Sequence, residues 1–182
     1  RVKHNRNTKR LRKRKRLIMA EGKFMTAGQV RSEVIPNEDF DEALINNKIL
    51  MVQRKYLRDL LGEDFYIELY TQNDATSLTS DNTTLLDDYI KPMLAHYVVY
   101  ECFPSIRSNI TSSGIVTLDQ EFTNPSSRED YAALRNQILA HADDLRAELI
   151  YFIKKQQEDD SSKYPLYERK DNYQAKYGII TY

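Results

Sequence analysis

The sequence has one cysteine, Cys102, three histidines and no tryptophan in 182 residues. A lone thiol closes no internal disulfide, and with scattered histidines it does not supply the Cys/His spacings of a zinc site. Cysteine usage therefore leaves the compartment open, and neither a metal nor any other cofactor is expected. Glycine and proline are scarce, five of each, which excludes collagen-like and low-complexity chains. No two of Gly22, Gly28, Gly62, Gly114 and Gly178 stand at nucleotide-motif spacing, so no phosphate-binding loop is expected. Long apolar runs are also lacking. Tyr97 to Phe103 is interrupted by Glu101, well short of the ~18 residues of a membrane-spanning helix. Only Leu17, Ile18, Met19 and Ala20 follow the basic N-terminal run before Glu21, too few for the about 7–15 apolar residues of a secretory leader. A soluble protein without membrane contact is the expectation.

Hydrophobic residues make up 41% and charged residues 30% of the chain, enough apolar surface for one core and against wholesale disorder. The length suits one compact domain with tails. A formal net charge of zero hides a division. Residues 1–20 carry ten Lys/Arg and no acid, including Arg6, Lys9, Arg10, Arg12, Lys13, Arg14, Lys15 and Arg16. The other 162 residues hold 17 basic against 27 acidic side chains, a net of −10. Ten like charges do not pack on one another, so the arm reads as an interaction segment seeking phosphate or carboxylate partners, DNA or neighbouring protein.

The body reads as helices. Ile49, Val52, Tyr56, Leu57 and Leu60 recur at three- and four-residue steps after Asn46 or Asn47, either a fair N-cap, and Gly62 ends that helix in a left-handed conformation. A short helix over Glu63–Tyr70 turns Phe65, Leu69 and Tyr66 inward, and the polar cluster Thr71–Thr84 reads as a loop. Leu86, Tyr89, Ile90, Met93, Leu94, Tyr97, Val98 and Cys102 form the broad apolar face of a central helix. Pro92 is expected to kink or split it with Lys91 at the joint, and Pro104 to close it. Gly114–Leu118 reads as a strand or extended loop whose partner is distant in the chain or in another subunit, since no second convincing strand is present.

The longest helix is expected from Ser126 or Ser127, where Ser126 and Glu129 have capping-box spacing. It carries one stripe of Tyr131, Leu134, Ile138, Ala142, Leu145, Leu149, Phe152 and Ile153. It should end near Gln157, because Glu158, Asp159 and Asp160 oppose the negative pole of a helix C-terminus. Beyond Ser162 comes a tail rich in tyrosine, with Tyr164, Pro165, Leu166, Tyr167, Tyr173, Tyr177, Ile179, Ile180 and Tyr182. Tyrosine combines large contact area with a hydroxyl, so this tail reads as a docking strap or as a segment packed on its own bundle. The fold class is mainly α, a bundle of about four to five helices with one short extended or β segment, a basic N-terminal arm and an extended C-terminal tail. Arm, helical domain and tail are assigned to 1–24, 25–160 and 161–182.

Chemistry is sparse. Adjacent carboxylates at Asp87/Asp88, Asp143/Asp144 and Asp159/Asp160 point about 100° apart on a helix, and read as solvated surface. His96 and His141 read as partly buried packing residues. Asn82-Thr83-Thr84 and Asn109-Ile110-Thr111 match the glycosylation acceptor pattern, which is common by chance. Arg135-Asn136-Gln137-Ile138-Leu139-Ala140-His141 resembles the signature of the helical HEPN ribonucleases, which implies Arg135 and His141 as a catalytic pair. Six residues place them about 240° apart on one helix, so they converge only if two subunits combine.

A second resemblance spans residues 45 to about 168. Val52 to Gly62 leads into Phe65-Tyr66. Leu85-Leu86-Asp87-Asp88-Tyr89-Ile90-Lys91-Pro92-Met93-Leu94 follows, then a Ser-Gly turn with Gly114-Ile115-Val116, the long helix and a Tyr/Pro tail. In that order these segments resemble the head-to-tail connector, or adaptor, proteins of tailed bacteriophages, particularly crAss-like and other Bacteroides-infecting phages. The resemblance implies a structural virion protein at the portal vertex, made in the bacterial host cytoplasm. About twelve copies would form a homo-oligomeric ring below the portal protein, a closed head-to-tail assembly. That ring would contact packaged DNA transiently and give tail or further ring proteins a platform. By the same resemblance the strap, Tyr164 to Tyr182, docks on the portal. Asp59, Glu63, Asp64, Asp87 or Asp88 would face the DNA channel, where acid repels phosphate and lets the duplex slide. A nucleic-acid-binding helical protein that grips phosphate through its arm is the other class of function the residues suggest.

Overall fold

The structure, a computed structural model, describes residues 22–34, 42–111, 114–117 and 128–167. Its centre is helix α6, Lys91–Arg107, in which Met93, Leu94, Ala95, Tyr97, Val98, Val99, Cys102 and Phe103 are all buried. So wide an apolar face needs neighbours on several sides. They are α1 (Ala27–Val34), α2 (Glu42–Val52) and α7 (Arg128–Asp159). The fold is mainly α, as the periodicity indicated. Among the described residues, five helical rods surround one core and one short hairpin projects from the end of α6.

The second rod begins at Glu42, ahead of the expected Asn46 or Asn47. Ile45 and Ile49 are buried four residues apart, so the apolar face starts before the asparagines, and Glu42 complements the positive pole of the first turn. Asn46 instead receives the Lys23 ammonium on its backbone and side-chain oxygens. α2 continues into a π-helical stretch π1 (Gln53–Arg58) and a last turn α3 (Asp59–Leu61). The rod stops at Gly62, whose φ is +81° and ψ 161°. Its φ is positive as expected, while its ψ is extended and not left-handed helical. The Gly62 amide donates to Arg58 and its carbonyl accepts from Tyr66, so one residue ends a helix and opens the next.

That next helix, α4 (Glu63–Asp74), outruns its expected end at Tyr70, and α5 (Ser80–Thr84) forms where a loop was expected. The side chains explain the difference. Gln72 Oε1 accepts from Asn82 Nδ2 at 2.7 Å and from the Thr79 amide, and Thr79 Oγ1 caps α5 by accepting from the Asn82 amide. These polar groups bond across the turn and leave the backbone free to be helical. α5 runs through a second π-helical stretch, π2 (Leu85–Ile90), into α6, and the π-to-α change falls at Lys91, immediately before Pro92. Pro104 does not close α6, which runs to Arg107. The bond it removes is one of many, and the Tyr131 hydroxyl donates to the Phe103 carbonyl and holds this turn onto α7.

β1 (Ser108–Thr111) and β2 (Gly114–Thr117) pair antiparallel, with Ser108 opposite Thr117 and Thr111 opposite Gly114. The extended segment thus exists, but its partner is local and not distant or in another subunit. Ile110 and Thr111 are β-branched, and only two positions separate the strands, a hairpin-length connection. α7 has 32 residues, about 48 Å, and ends at Asp159, two residues past the expected Gln157. Its expected start at Ser126 or Ser127 lies outside the described residues. Ala142, Leu149 and Ile153 of its stripe are buried, whereas Leu134 is half exposed. The first half of α7 runs along the end of α6, where Tyr131 meets Phe103 and Arg135 occupies the surface of Tyr100, leaving Leu134 outside the contact.

A fully buried glutamine joins the chain before α1 to the bundle. Gln53 Oε1 accepts from the Phe24 amide at 2.9 Å, while Nε2 donates to the Tyr66 hydroxyl and the Gly22 carbonyl. Thr26 and Gln29 form a capping box at the start of α1, each side chain accepting from the other's amide. Residues 22–24 therefore belong to the packed body although the sequence groups them with the arm. Gln53→Leu should lower unfolding free energy by about 1–3 kcal/mol in urea titration, because several buried polar groups lose their partner. Gly62→Ala should cost about 1–3 kcal/mol through backbone strain alone, since a Cβ there meets nothing within 4 Å.

Candidate functional site

The first part of the tyrosine-rich tail packs on its own chain. Asp160 ends α7 by accepting from the Ser162 amide and hydroxyl, which turns the chain back toward the bundle. Gln157 Nε2 then donates to the Tyr164 carbonyl at 3.0 Å and more loosely to that of Tyr167. Tyr164 is buried between Phe65 and Phe152, with its hydroxyl donating to the Asp81 carbonyl at 2.9 Å. These contacts hold it at a φ of +48°, a left-handed conformation uncommon for so large a residue. Tyr167 is also buried, while Pro165 and Leu166 are exposed. Of the residues assigned to portal docking, Tyr164 and Tyr167 thus serve their own core, and Pro165 and Leu166 present a surface. Tyr173, Tyr177, Ile179, Ile180 and Tyr182 lie outside the described residues, as does the arm from Arg6 to Arg16.

Where the strap crosses α4 and α5 it leaves a cleft of about 280 Å³. Phe65 and Tyr164 line it alongside Glu68, Asp81, Asp160 and Lys163. Lys163 Nζ lies 3.5 Å from an Asp81 carboxylate oxygen and 2.8 Å from Gln156 Oε1. The cleft therefore mixes an aromatic wall with three carboxylates and one ammonium.

A second group of polar side chains sits along α6. Tyr56 stacks on Tyr97 with centroids 3.9 Å apart, and the Tyr97 hydroxyl donates to Asp143 at 2.6 Å. Asp143 is therefore a half-buried acceptor and not the solvated surface expected of it. Glu101 accepts from Lys55 and from the Tyr56 hydroxyl, each at 2.7 Å. Burial raises the Glu101 carboxyl, but these hydrogen bonds outweigh it and hold the group below its ordinary value. Each of these groups is paired with its neighbour.

Arg135 and His141 are both occupied by α6, at different levels. The Arg135 guanidinium lies over the Tyr100 ring and donates to its hydroxyl at 2.7 Å, whereas His141 meets the His96 ring edge-on at 6.2 Å. His96 is half-buried, with Nδ1 2.9 Å from the Pro92 carbonyl, and His141 is exposed. Within one chain the two candidate ribonuclease residues do not converge. Among the acids suggested for a channel face, Glu63 is held by both nitrogens of the Arg58 fork and Asp87 by Lys91. Asp59 is half-buried, and Asp64 and Asp88 are exposed. Asn82 is buried on Gln72 and is no accessible glycosylation acceptor. Gln53, Gln72 and Gln157, which hold the turns, escaped the sequence reading. Only the Thr26/Gln29 spacing carried a local signal of this kind.

Residues 57–177, more than half of the chain, match a family of unknown function, DUF6712. The chain belongs to that family. Its matched span runs from the last turns of the second rod through α4–α7 and the strap, so it includes every residue described in the cleft. No curated protein and no solved structure matches the chain.

Burial pushes the Cys102 thiol up to about 11 from its ordinary 9.0. Burial, aided by the Asp81 charge, pushes the Tyr164 hydroxyl up to about 12 from 10.0. Both groups are favoured neutral in the folded state, so their contribution is complete below the unfolded values and is lost as pH rises through the folded ones. Urea titrations should show stability falling between about pH 9 and 12. Cys102→Ala should flatten the part between about pH 9 and 11, and an unchanged slope there would contradict the assignment.

Proposed function

We propose that the protein is a structural subunit of a bacteriophage virion, a head-to-tail connector. Copies form a ring below the portal protein, join capsid to tail and continue the DNA channel, performing no bond chemistry. The observation that carries this reading is the order of the segments that resemble connectors. The described segments among residues 45–168 pack in sequence order into one body, with the family match lying over most of that span. Charge supports it in a second way. Ring closure repeats one heterologous contact, so each copy needs two different complementary patches, and an arm of ten cations on a body of net −10 supplies them. Exposed Asp64 and Asp88 suit a wall past which phosphate slides better than neutralised Glu63 and Asp87 do.

The arm itself favours a second reading, a helical protein that holds nucleic acid through residues 1–16. Native mass measurement of the full chain, alone and with portal protein, tests the connector. A closed ring of about twelve copies is expected, and a monomer in both conditions overturns it. Deleting residues 1–18 separates the two roles of the arm. Normal rings that leak DNA would assign the arm to phosphate, whereas failed assembly assigns it to protein contacts.

A further inference from the structure

We infer that the outer edge of the β1–β2 hairpin takes up residues 177–182 of a second copy of this chain as an added strand. The inference rests on the ring reading only in requiring that copies meet. β1 and β2 have four residues each and form a two-stranded sheet, so among the described residues neither strand has a neighbour on its other side. Alternate residues of such a strand turn their N–H and C=O groups outward, where they pair with water or with a further strand. Two strands alone are marginally stable in water, and a third supplies the missing pairs. Edges that stay free are commonly blunted by charge, proline or a bulge. This hairpin has none of these: Ser108-Asn109-Ile110-Thr111 and Gly114-Ile115-Val116-Thr117 carry no charge and no proline, and their register is unbroken.

Composition selects the segment. Residues 177–182 are also uncharged, with Ile179, Ile180 and Thr181 β-branched and Tyr177 and Tyr182 aromatic, the residue types that fit a pleated surface. Residues 168–176 before them contain Glu168, Arg169, Lys170, Asp171 and Lys176 and read as a solvated tether. Chain length then selects another copy over the same one. Gln157 near the end of α7 holds Tyr164 and Tyr167, whereas the hairpin follows Arg107, past the contact of Tyr131 with Phe103 near the start of α7. The helix from Tyr131 to Gln157 and the last turn of α6 put these two places about 45 Å apart at 1.5 Å per residue. The ten residues from Tyr167 to Tyr177 span at most about 36 Å when fully drawn out, and about 18 Å as a flexible chain. The segment therefore falls short of its own hairpin and meets that of a neighbour, so each copy gives a strand to the next in a heterologous series.

Photo-crosslinking between two co-expressed full chains tests this. One chain carries benzoylphenylalanine in place of Tyr177, and the other carries Ile110→Val as a mass label on its hairpin. Trypsin releases residues 177–182 after Lys176 and both strands in one peptide, 108–128, because no Lys or Arg lies between Arg107 and Arg128. Crosslinks from the probe peptide to positions 108–117 of the labelled peptide are expected, with and without portal protein. Proline removes a backbone donor, so two double variants of the probe chain cover both faces of the segment: Ile179→Pro with Thr181→Pro, and Ile180→Pro with Tyr182→Pro. At least one of them should lower the crosslink yield about fivefold or more. Ile179→Val with Ile180→Val, which keeps the β-branched character, should leave the yield unchanged. Crosslinks to the unlabelled peptide alone place the strand in its own chain and overturn the inference. Crosslinks outside positions 108–117, insensitivity to both proline pairs, or loss of crosslinks on adding portal protein overturn it as well. Rings of normal mass without these crosslinks would overturn it and leave the connector reading standing, while labelled crosslinks without a ring would support it and overturn the connector reading.

Discussion

The burial of α6 is the constraint on which the rest of the molecule depends. A helix whose side chains are apolar on most of its circumference is stable only if other elements enclose it, at about 1.5–3 kcal/mol for each large side chain removed from water. Tyr97, Met93 and Leu94 are essentially inaccessible, and the helices that seal them come from both earlier and later parts of the chain. α7 does so antiparallel, pairing Tyr131 with Phe103, Arg135 with Tyr100 and Phe152 with Tyr89 along its length. The strap joins the same core through Tyr164, so order at the end of the described chain depends on order at its centre.

Glutamine carboxamides fix the places where the chain reverses or enters the body. Gln53 holds residues 22–24, Gln72 holds the turn into α5, and Gln157 holds the strap. The choice has a physical basis. A carboxamide offers donors and an acceptor at one point without charge, so it satisfies mixed backbone and hydroxyl groups at lower desolvation cost than a carboxylate or ammonium. Gln53 sits in π1, where the wider turn brings Val52, Gln53 and Leu57 together to the buried side.

Charge is segregated along the chain, with cations gathered in the arm and acids spread over the body. The Gly22 amide is anchored on the Tyr70 hydroxyl, and the strap borders a cleft lined by Glu68, Asp81 and Asp160. The polar groups along α6, by contrast, are spent on one another inside the bundle.

The sequence by itself determined that the protein is mainly helical, where its central and longest helices lie, and that Gly62 interrupts the chain, because apolar period and glycine's freedom at positive φ are local properties. It also determined the charge division. Tertiary structure alone decided that α4 extends to Asp74, that α5 forms in a polar cluster and that Pro104 stays within α6, since side-chain partners distant from the backbone segment overrule local preference. It likewise decided that Asp143 accepts from Tyr97 and that Tyr164 turns inward. Such choices depend on which groups meet across the bundle, and hydrogen-bond satisfaction between residues 46 or 83 positions apart leaves no trace in local spacing.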